Sequence, residues 1–169
     1  MASIGKKKQF LSYAHAFLVA ADSHATAAQE KGIDGEVDGM MCVIALQNSV
    51  VGAIKVVGKG HVAALKFFDD VPDLKNVRDM LTHFDDYVIG KGDLQKSSDG
   101  RKAPFGWMPM WHSNETLAIL NRARGEEVPT LYEVPIHAAL TSTADLVAAA
   151  AKFLGVEPSP LLKRLTETE

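Results

Sequence analysis

Apolar positions in the first half of the chain recur every three or four residues, which is the period of an amphipathic helix. A first helix is predicted over 6–31, a segment without Gly or Pro that ends before Gly32. The next segment, Val37–Val57, is apolar on nearly all sides, so it predicts a buried central helix. A shorter helix is predicted over His61–Asp70.

The fourth predicted helix, 73–89, carries the clearest stripe. Pro72 precedes it and Gly90 follows it. Its apolar residues share one face: Leu74, Val77, Leu81, Phe84 and Val88. The stripe predicts that Phe84 is buried, so Phe84→Ala should cost about 3 kcal/mol. His83 lies off the stripe, and its replacement by alanine should cost no more than about 1 kcal/mol.

The pattern changes after residue 93, where strand-like and turn-like segments alternate. Three short segments rich in aromatic and β-branched residues predict antiparallel strands: Phe105–Trp111, Thr116–Leu120 and Thr130–Ile136. A C-terminal helix is predicted within 137–156, with its periodic part at Thr143–Leu154 and Ser142 or Thr143 as its cap. The proline-containing segment 157–169 is predicted to be a frayed tail.

These elements predict one mainly α domain, a four- to five-helix bundle with a small antiparallel β appendage before the last helix. The bundle occupies 6–92 and the appendage 93–136. A length of 169 residues, of which 47% are hydrophobic, suits a single core.

Charge, cysteine content and the length of apolar stretches indicate which ligands the protein can attract and in which compartment it works. The 18 Lys and Arg residues are outnumbered by 21 Asp and Glu residues, so nucleic acid can be attracted only by a local cluster. A single cysteine, Cys42, is typical of a reducing compartment. The longest apolar stretches, Met40–Leu46 and Val147–Ala151, fall short of the ~20 residues that span a bilayer. Because no secretory apolar core follows the basic run 6–8, we expect a cytoplasmic protein outside the membrane.

The fourth predicted helix contains Arg78, Asp79 and His83 in the sequence RDMLTH, which an acidic and aromatic FDDY segment follows. Over about residues 8–92 the chain resembles the higher eukaryotes and prokaryotes nucleotide-binding (HEPN) family. Members of that family are small helical bundles, often dimers, with an Arg-polar-x-x-x-His motif on a late helix. Many are metal-independent ribonucleases, and some are toxins or defence effectors.

The resemblance implies roles for three residues. Arg78 matches the family arginine, Asp79 its polar second position and His83 its histidine. Active nucleases more often have Asn at the position of Asp79, where a carboxylate repels phosphate. The resemblance further implies a homodimer that needs no cofactor, acts on RNA and has a nucleotidyltransferase-type antitoxin as a partner.

The chemistry of the pair agrees with such a reaction. A histidine with a pKa near 6.5 can exchange protons with a ribose hydroxyl and a leaving oxygen, and an arginine can stabilise charge on the phosphate. Because Arg78 and His83 are five residues apart on a helix, they point in different directions, and two copies facing each other would form a composite site. The alternative is a solvated rim, on which His83 pairs with Asp79 and Arg78 pairs with Asp85 or Asp86.

Two flanking clusters add candidates for RNA binding. Four cations follow the motif and can track a phosphate backbone: Lys91, Lys96, Arg101 and Lys102. Three aromatic residues come next and can stack on bases: Phe105, Trp107 and Trp111. The alternatives are a solvated basic loop and aromatic residues that cover the bundle or a dimer partner.

Other sites are disfavoured. The segment Gly52–Lys59 differs from a phosphate loop in its spacing, and Gly60 stands where Ser or Thr is required. The side chains that can imitate a bundle metal site are Asp79 and His83 with His15, His24 or Asp22, but no Glu-x-x-His pair exists, so we expect no metal. The competing function is a non-catalytic HEPN-like module that binds a nucleotide or a partner protein and tolerates the loss of His83.

Overall fold

A computed structural model describes residues 3–89, 91–95, 107–112, 115–122 and 128–167, with backbone only for Ile33 and 107–112. The described part is mainly helical, with a small antiparallel sheet before the last helices, as predicted. The helices are α1 (Ile4–Lys31), α2 (Glu36–Val57), α3 (Val62–Asp70), α4 (Leu74–Thr82), α5 (Phe84–Val88), α6 (Ile136–Phe153) and α7 (Pro160–Thr166). The strands are β1 (Trp107–His112), β2 (Thr116–Asn121) and β3 (Thr130–Pro135).

Helices α1 and α2 pack closely along their lengths and are joined by a short 3₁₀ turn, Gly32–Gly35. A Cβ on Gly52 would lie 3.0 Å from the Phe10 carbonyl oxygen and from the Ala14 Cβ. One turn away, the buried Ser49 hydroxyl donates a hydrogen bond to the Ala14 carbonyl oxygen at 2.8 Å. Small residues on α2 therefore set the distance between the two helices.

Helix α2 is the centre of the core, as its apolar composition predicts. It packs against α1, α4, α6 and β2, and its buried residues include Val43, Leu46, Val50 and Val56. It is also the one helix in the described ranges that is long and apolar enough to cross a bilayer. The core helix of a globular protein meets the same criteria, so the cytoplasmic location stays a prediction.

The three strands form one antiparallel sheet in the order β1-β2-β3. In the central strand three consecutive residues, Leu117, Ala118 and Ile119, are fully buried, so both faces of β2 are covered. The strand predictions are confirmed to within two residues at each end. The sheet contacts α2 and α4, and this contact places the appendage beside the motif helix.

The C-terminal region departs from two predictions. The helix within 137–156 begins at Ile136, so Ser142 and Thr143 are buried inside it and are not its cap. The predicted frayed tail contains α7, which Ser159 caps by accepting a hydrogen bond from the Leu162 N–H. Proline at the first position of a helix after a serine cap is a start signal, and the prediction read it as a stop signal.

The predicted continuous helix 73–89 is also wrong, because two helices, α4 and α5, meet at His83. The break changes which residues face the core. Leu74 and Val77 are buried as predicted, but Phe84 and Val88 are 57% and 54% exposed. Two residues outside the predicted stripe, Met80 and Tyr87, are buried instead.

Candidate functional site

His83 lies between α4 and α5 with φ −119° and ψ 36°, outside helical geometry. Its N–H still donates to the Asp79 carbonyl oxygen at 3.1 Å and closes α4. The Thr82 hydroxyl donates to the Arg78 carbonyl oxygen at 3.0 Å, a back-bond that often bends helices. Two acidic residues occupy the first turn of α5, where the helix dipole favours negative charge. The local sequence thus favours a new helix after His83.

Asp79 is the electrostatic centre of the site. Arg78 Nη1 donates to Asp79 Oδ1 at 2.7 Å, and Lys75 Nζ donates to Asp79 Oδ2 at 2.5 Å. Burial alone would raise the pKa of Asp79, but the hydrogen bonds from Lys75 and Arg78 outweigh it and lower the pKa below its ordinary value. Asp79 is therefore ionised at neutral pH and neutralises part of the positive charge next to it.

A polar cleft of about 270 Å³ opens beside α4 and α5. Its lining includes the side chains of Lys75, Asp79, His83, Asp86 and Lys91. His83 is exposed, and its side chain makes no hydrogen bond to the residues that the structure describes. The cleft therefore brings together an accessible proton carrier and two lysines. Three aspartates, Asp79, Asp86 and Asp93, also line it, so the charged groups of the cleft sum to a negative charge when His83 is neutral.

Residues 91–94 form one wall of the cleft, and Gln95 connects this wall to α5. The buried Gln95 side chain donates to the Tyr87 carbonyl oxygen at 3.1 Å and accepts from the Gly92 N–H at 3.1 Å. The Leu94 N–H donates to the Tyr87 hydroxyl at 3.3 Å. A Cβ on Gly92 would lie 2.4 Å from the Tyr87 ring, so only glycine fits this arrangement. The network fixes α5 against the wall and thereby holds one side of the cleft.

The structure brings only some of the predicted site residues together. Asp79, His83 and Lys91 line the cleft, whereas Arg78 does not line it and touches it only through its bond to Asp79. The predicted cations Lys96, Arg101 and Lys102 and the aromatic Phe105 lie outside the described residues, as do the side chains of Trp107 and Trp111.

The solvated-rim alternative is wrong in its pairings. Arg78 binds Asp79 and forms no ion pair with Asp85 or Asp86 among the described residues. Asp79 binds the two cations of α4, so its carboxylate is not the partner of the His83 ring. His83 is nevertheless exposed, as both interpretations require.

The histidines that can imitate a metal site are dispersed. His15 Nε2 lies 2.7 Å from the Ser159 hydroxyl, and His24 Nδ1 lies 3.1 Å from Asp38 Oδ1. Asp22 forms an ion pair with Arg164. Across the described ranges no three His, Cys, Asp or Glu side chains are grouped so that they could hold a metal ion.

Sequence reasoning missed Lys75 and Tyr87 as parts of the site. Lys75 precedes Asp79 by four residues, which is one helical turn, so the spacing of opposite charges could have identified it. No spacing in the sequence predicted that Tyr87 is buried, because its burial depends on the break at His83.

Comparison of the chain with protein-family models, with curated proteins and with solved structures finds no match. The HEPN resemblance therefore stays a prediction that depends on Arg78, Asp79 and His83. The function has to be inferred from the chemistry of the cleft.

Proposed function

We propose that the protein is a HEPN-like, metal-independent endoribonuclease that acts on single-stranded or loop RNA in the cytoplasm, as a toxin or defence effector. One observation carries the proposal: His83 is exposed on a polar cleft that two lysines, Lys75 and Lys91, also line. The proposal includes the finer fold assignment, a four- to five-helix bundle, and a nucleotidyltransferase-type antitoxin as a partner.

In this reaction the ribose 2′-oxygen attacks the adjacent phosphorus while the bond from phosphorus to the 5′-oxygen breaks. His83 removes the 2′-hydroxyl proton and, once protonated, delivers that proton to the departing 5′-oxygen. Arginine and lysine stabilise the charge that develops on the phosphate oxygens. The products are a 2′,3′-cyclic phosphate and a 5′-hydroxyl, and no metal takes part.

The site is assembled from two copies of the chain. Within one copy His83 lines the cleft and Arg78 does not, so a single cleft lacks the arginine. A homodimer with a two-fold axis near α4 would place Arg78 of one copy opposite His83 of the other. Light scattering should therefore show a dimer. A chain that stays monomeric at high micromolar concentration would remove the composite site.

Mixing two inactive variants tests this arrangement directly. His83→Ala retains Arg78, and Arg78→Ala retains His83, so a mixed dimer contains one intact composite site. Random exchange of subunits makes half of the dimers mixed, and the mixture should recover about a quarter of wild-type activity. No recovery after exchange would show that both groups must come from the same chain.

The ribonuclease itself is tested with purified protein in EDTA. Wild type should cut RNA to cyclic or 3′-phosphate ends and should spare a substrate whose cleavage-site 2′-hydroxyl is replaced by hydrogen. His83→Ala and Arg78→Ala should each lose about 100-fold or more. The matched control is His137→Ala, since His137 is also exposed but lies outside the cleft. Its activity should equal that of wild type.

Asp79→Asn should keep or raise the activity. The substitution removes a negative charge beside the phosphate position and releases Lys75 and Arg78 from their ion pairs with Asp79. If wild type leaves a broad panel of RNAs intact and Asp79→Asn gains no activity, the ribonuclease proposal fails.

The second candidate is a non-catalytic module that binds a nucleotide or a partner protein at the same cleft. The Arg78–Asp79 ion pair favours it, because an arginine held at 2.7 Å by a carboxylate is already neutralised. Binding of labelled single-stranded RNA, followed by fluorescence anisotropy, separates the two candidates. If the protein is a binding module, wild type binds the RNA without cleaving it and His83→Ala retains the affinity. If it is an enzyme, wild type cleaves the RNA and His83→Ala does not.

A further inference from the structure

We propose that a second cavity, lined by parts of α2, α3 and α4, binds a free medium-chain fatty acid. The cavity has a volume of about 570 Å³, roughly twice that of the cleft at His83. Ligand sites for small molecules have volumes of about 300–1,000 Å³ and mostly apolar walls. The two sites share Lys75, but the proposal is independent of the ribonuclease because it depends on Lys55, Lys59 and apolar residues that do not line the cleft.

The interior of the cavity is apolar. Val50, Phe67, Val71 and Leu74 form part of its lining and are at most 2% exposed, so the floor of the cavity is the closed, apolar surface of the hydrophobic core. Phe68, which is 43% exposed, also lines it and packs edge-on against Phe67 with 5.8 Å between ring centroids. A hydrocarbon chain that enters this space replaces water at apolar walls, which favours binding.

The polar part of the lining is positive. Three lysines line the cavity, Lys55, Lys59 and Lys75, and no Asp or Glu occurs in its lining as far as the structure describes it. Lys75 is paired with Asp79. Lys55 and Lys59 form no ion pair with any described residue. The site therefore has two uncompensated ammonium groups beside an apolar interior.

The apolar interior and the two lysines together indicate which class of molecule binds in the cavity. A cationic or zwitterionic amphiphile would place positive charge near Lys55 and Lys59, and a neutral alcohol would leave both lysines unpaired. A fatty acid satisfies both parts of the site, with its chain inside and its carboxylate at the lysines. A concave cavity of this size suits a flexible chain better than the flat face of a second protein copy.

Isothermal titration calorimetry with the full chain tests the proposal. The ligands are octanoate, decanoate and dodecanoate, each below its critical micelle concentration. Affinity should rise about fourfold for each added methylene until the cavity is filled. Decanol and decyltrimethylammonium have one tail carbon more than decanoate, and they should nevertheless bind at least fivefold more weakly. Equal affinity for all three head groups would overturn the proposal, and so would an absence of binding.

Two pairs of variants locate the site. Val51 lines the cavity and is 40% exposed, so Val51→Trp should obstruct it without unfolding the chain and should abolish decanoate binding. Val62→Trp, at a 74% exposed position on α3 outside the lining, should bind like wild type. Lys55→Gln combined with Lys59→Gln should weaken decanoate at least threefold and leave decanol unchanged.

The same variants detect the competing occupant. If wild type is a dimer and Val51→Trp makes it monomeric, the cavity is an interface between copies of the chain and the fatty-acid proposal is wrong. Unchanged decanoate binding by Val51→Trp would likewise overturn the location. RNA cleavage need not be measured in any of these tests, so failure of the ribonuclease proposal leaves them interpretable.

Discussion

Two aromatic residues on α5 offer a direct test of the helix break at His83. Tyr87 is 2% exposed and Phe84 is 57% exposed, although the two residues lie on the same short helix. A continuous helix over 73–89 would bury Phe84. The effects of Phe84→Ala and Tyr87→Ala on the free energy of unfolding should therefore reveal which arrangement exists in solution.

The magnitudes follow from burial. Truncating a fully buried aromatic residue to alanine costs about 3–5 kcal/mol, which is the expected loss for Tyr87→Ala. Less than half of the Phe84 side chain is buried, so the same rule gives a loss of about 1.5 kcal/mol for Phe84→Ala. The better helix propensity of alanine returns about 0.5 kcal/mol, which leaves a net cost of about 1 kcal/mol.

Urea denaturation followed by circular dichroism measures both values. Tyr87→Phe provides a milder second variant, since it removes the hydroxyl that accepts from the Leu94 N–H and should cost about 1 kcal/mol. The reasoning is refuted if Phe84→Ala loses about 3 kcal/mol or more while Tyr87→Ala loses less than about 1 kcal/mol. That result would restore the continuous helix and the buried Phe84.

Three further predictions follow from local contacts. Gly92→Ala should cost about 1–3 kcal/mol because its Cβ would meet the Tyr87 ring, whereas Gly60→Ala, in open space, should stay within about 0.5 kcal/mol in the same urea assay. Although burial raises the pKa of Asp79, its cationic partners leave that pKa below 3.8, so the stability from ionised Asp79 is present above pH 3.8 and lost as the pH falls further. Unfolding measured against pH should show a smaller loss in Asp79→Asn than in wild type, because Asp38 and Asp70, whose pKa values are also lowered by their hydrogen-bond partners, contribute to the loss in both proteins. Burial raises the pKa of the Cys42 thiol to about 12, so a thiol reagent at pH 8 should react with Cys42 only as fast as the chain unfolds.

The parts of the fold that the sequence predicted well are those with strong periodic patterns. The apolar composition of 37–57 identified the buried helix α2, because burial on all sides leaves no polar face. The strands around Thr116 and Thr130 were identified from their β-branched residues and the turn signals between them. Such patterns reflect both the local backbone geometry and the burial of a segment, so they can be recognised without knowledge of its tertiary contacts.

The errors occurred where the deciding contact is distant or ambiguous. The stripe through Phe84 satisfied a helical period, but a back-bond from Thr82 and a new start at α5 changed the phase of the chain. In the candidate site, the exposure of His83 was predicted correctly. The bond that Arg78 makes with Asp79 was not, because the sequence offered three carboxylates within reach and could not rank them.

Because the helix breaks at His83, the spacing of the motif residues no longer determines the direction of His83 relative to Arg78. On one helix the direction of His83 relative to Arg78 would be fixed by the five-residue spacing. Here it depends on where α5 sits, and the buried bonds of Gln95 with Tyr87 and Gly92 hold α5 in place. Substitutions in that network should therefore redirect the histidine without touching it. Attempts to tune the site by design should begin at Gln95, on the scaffold behind the candidate site residues.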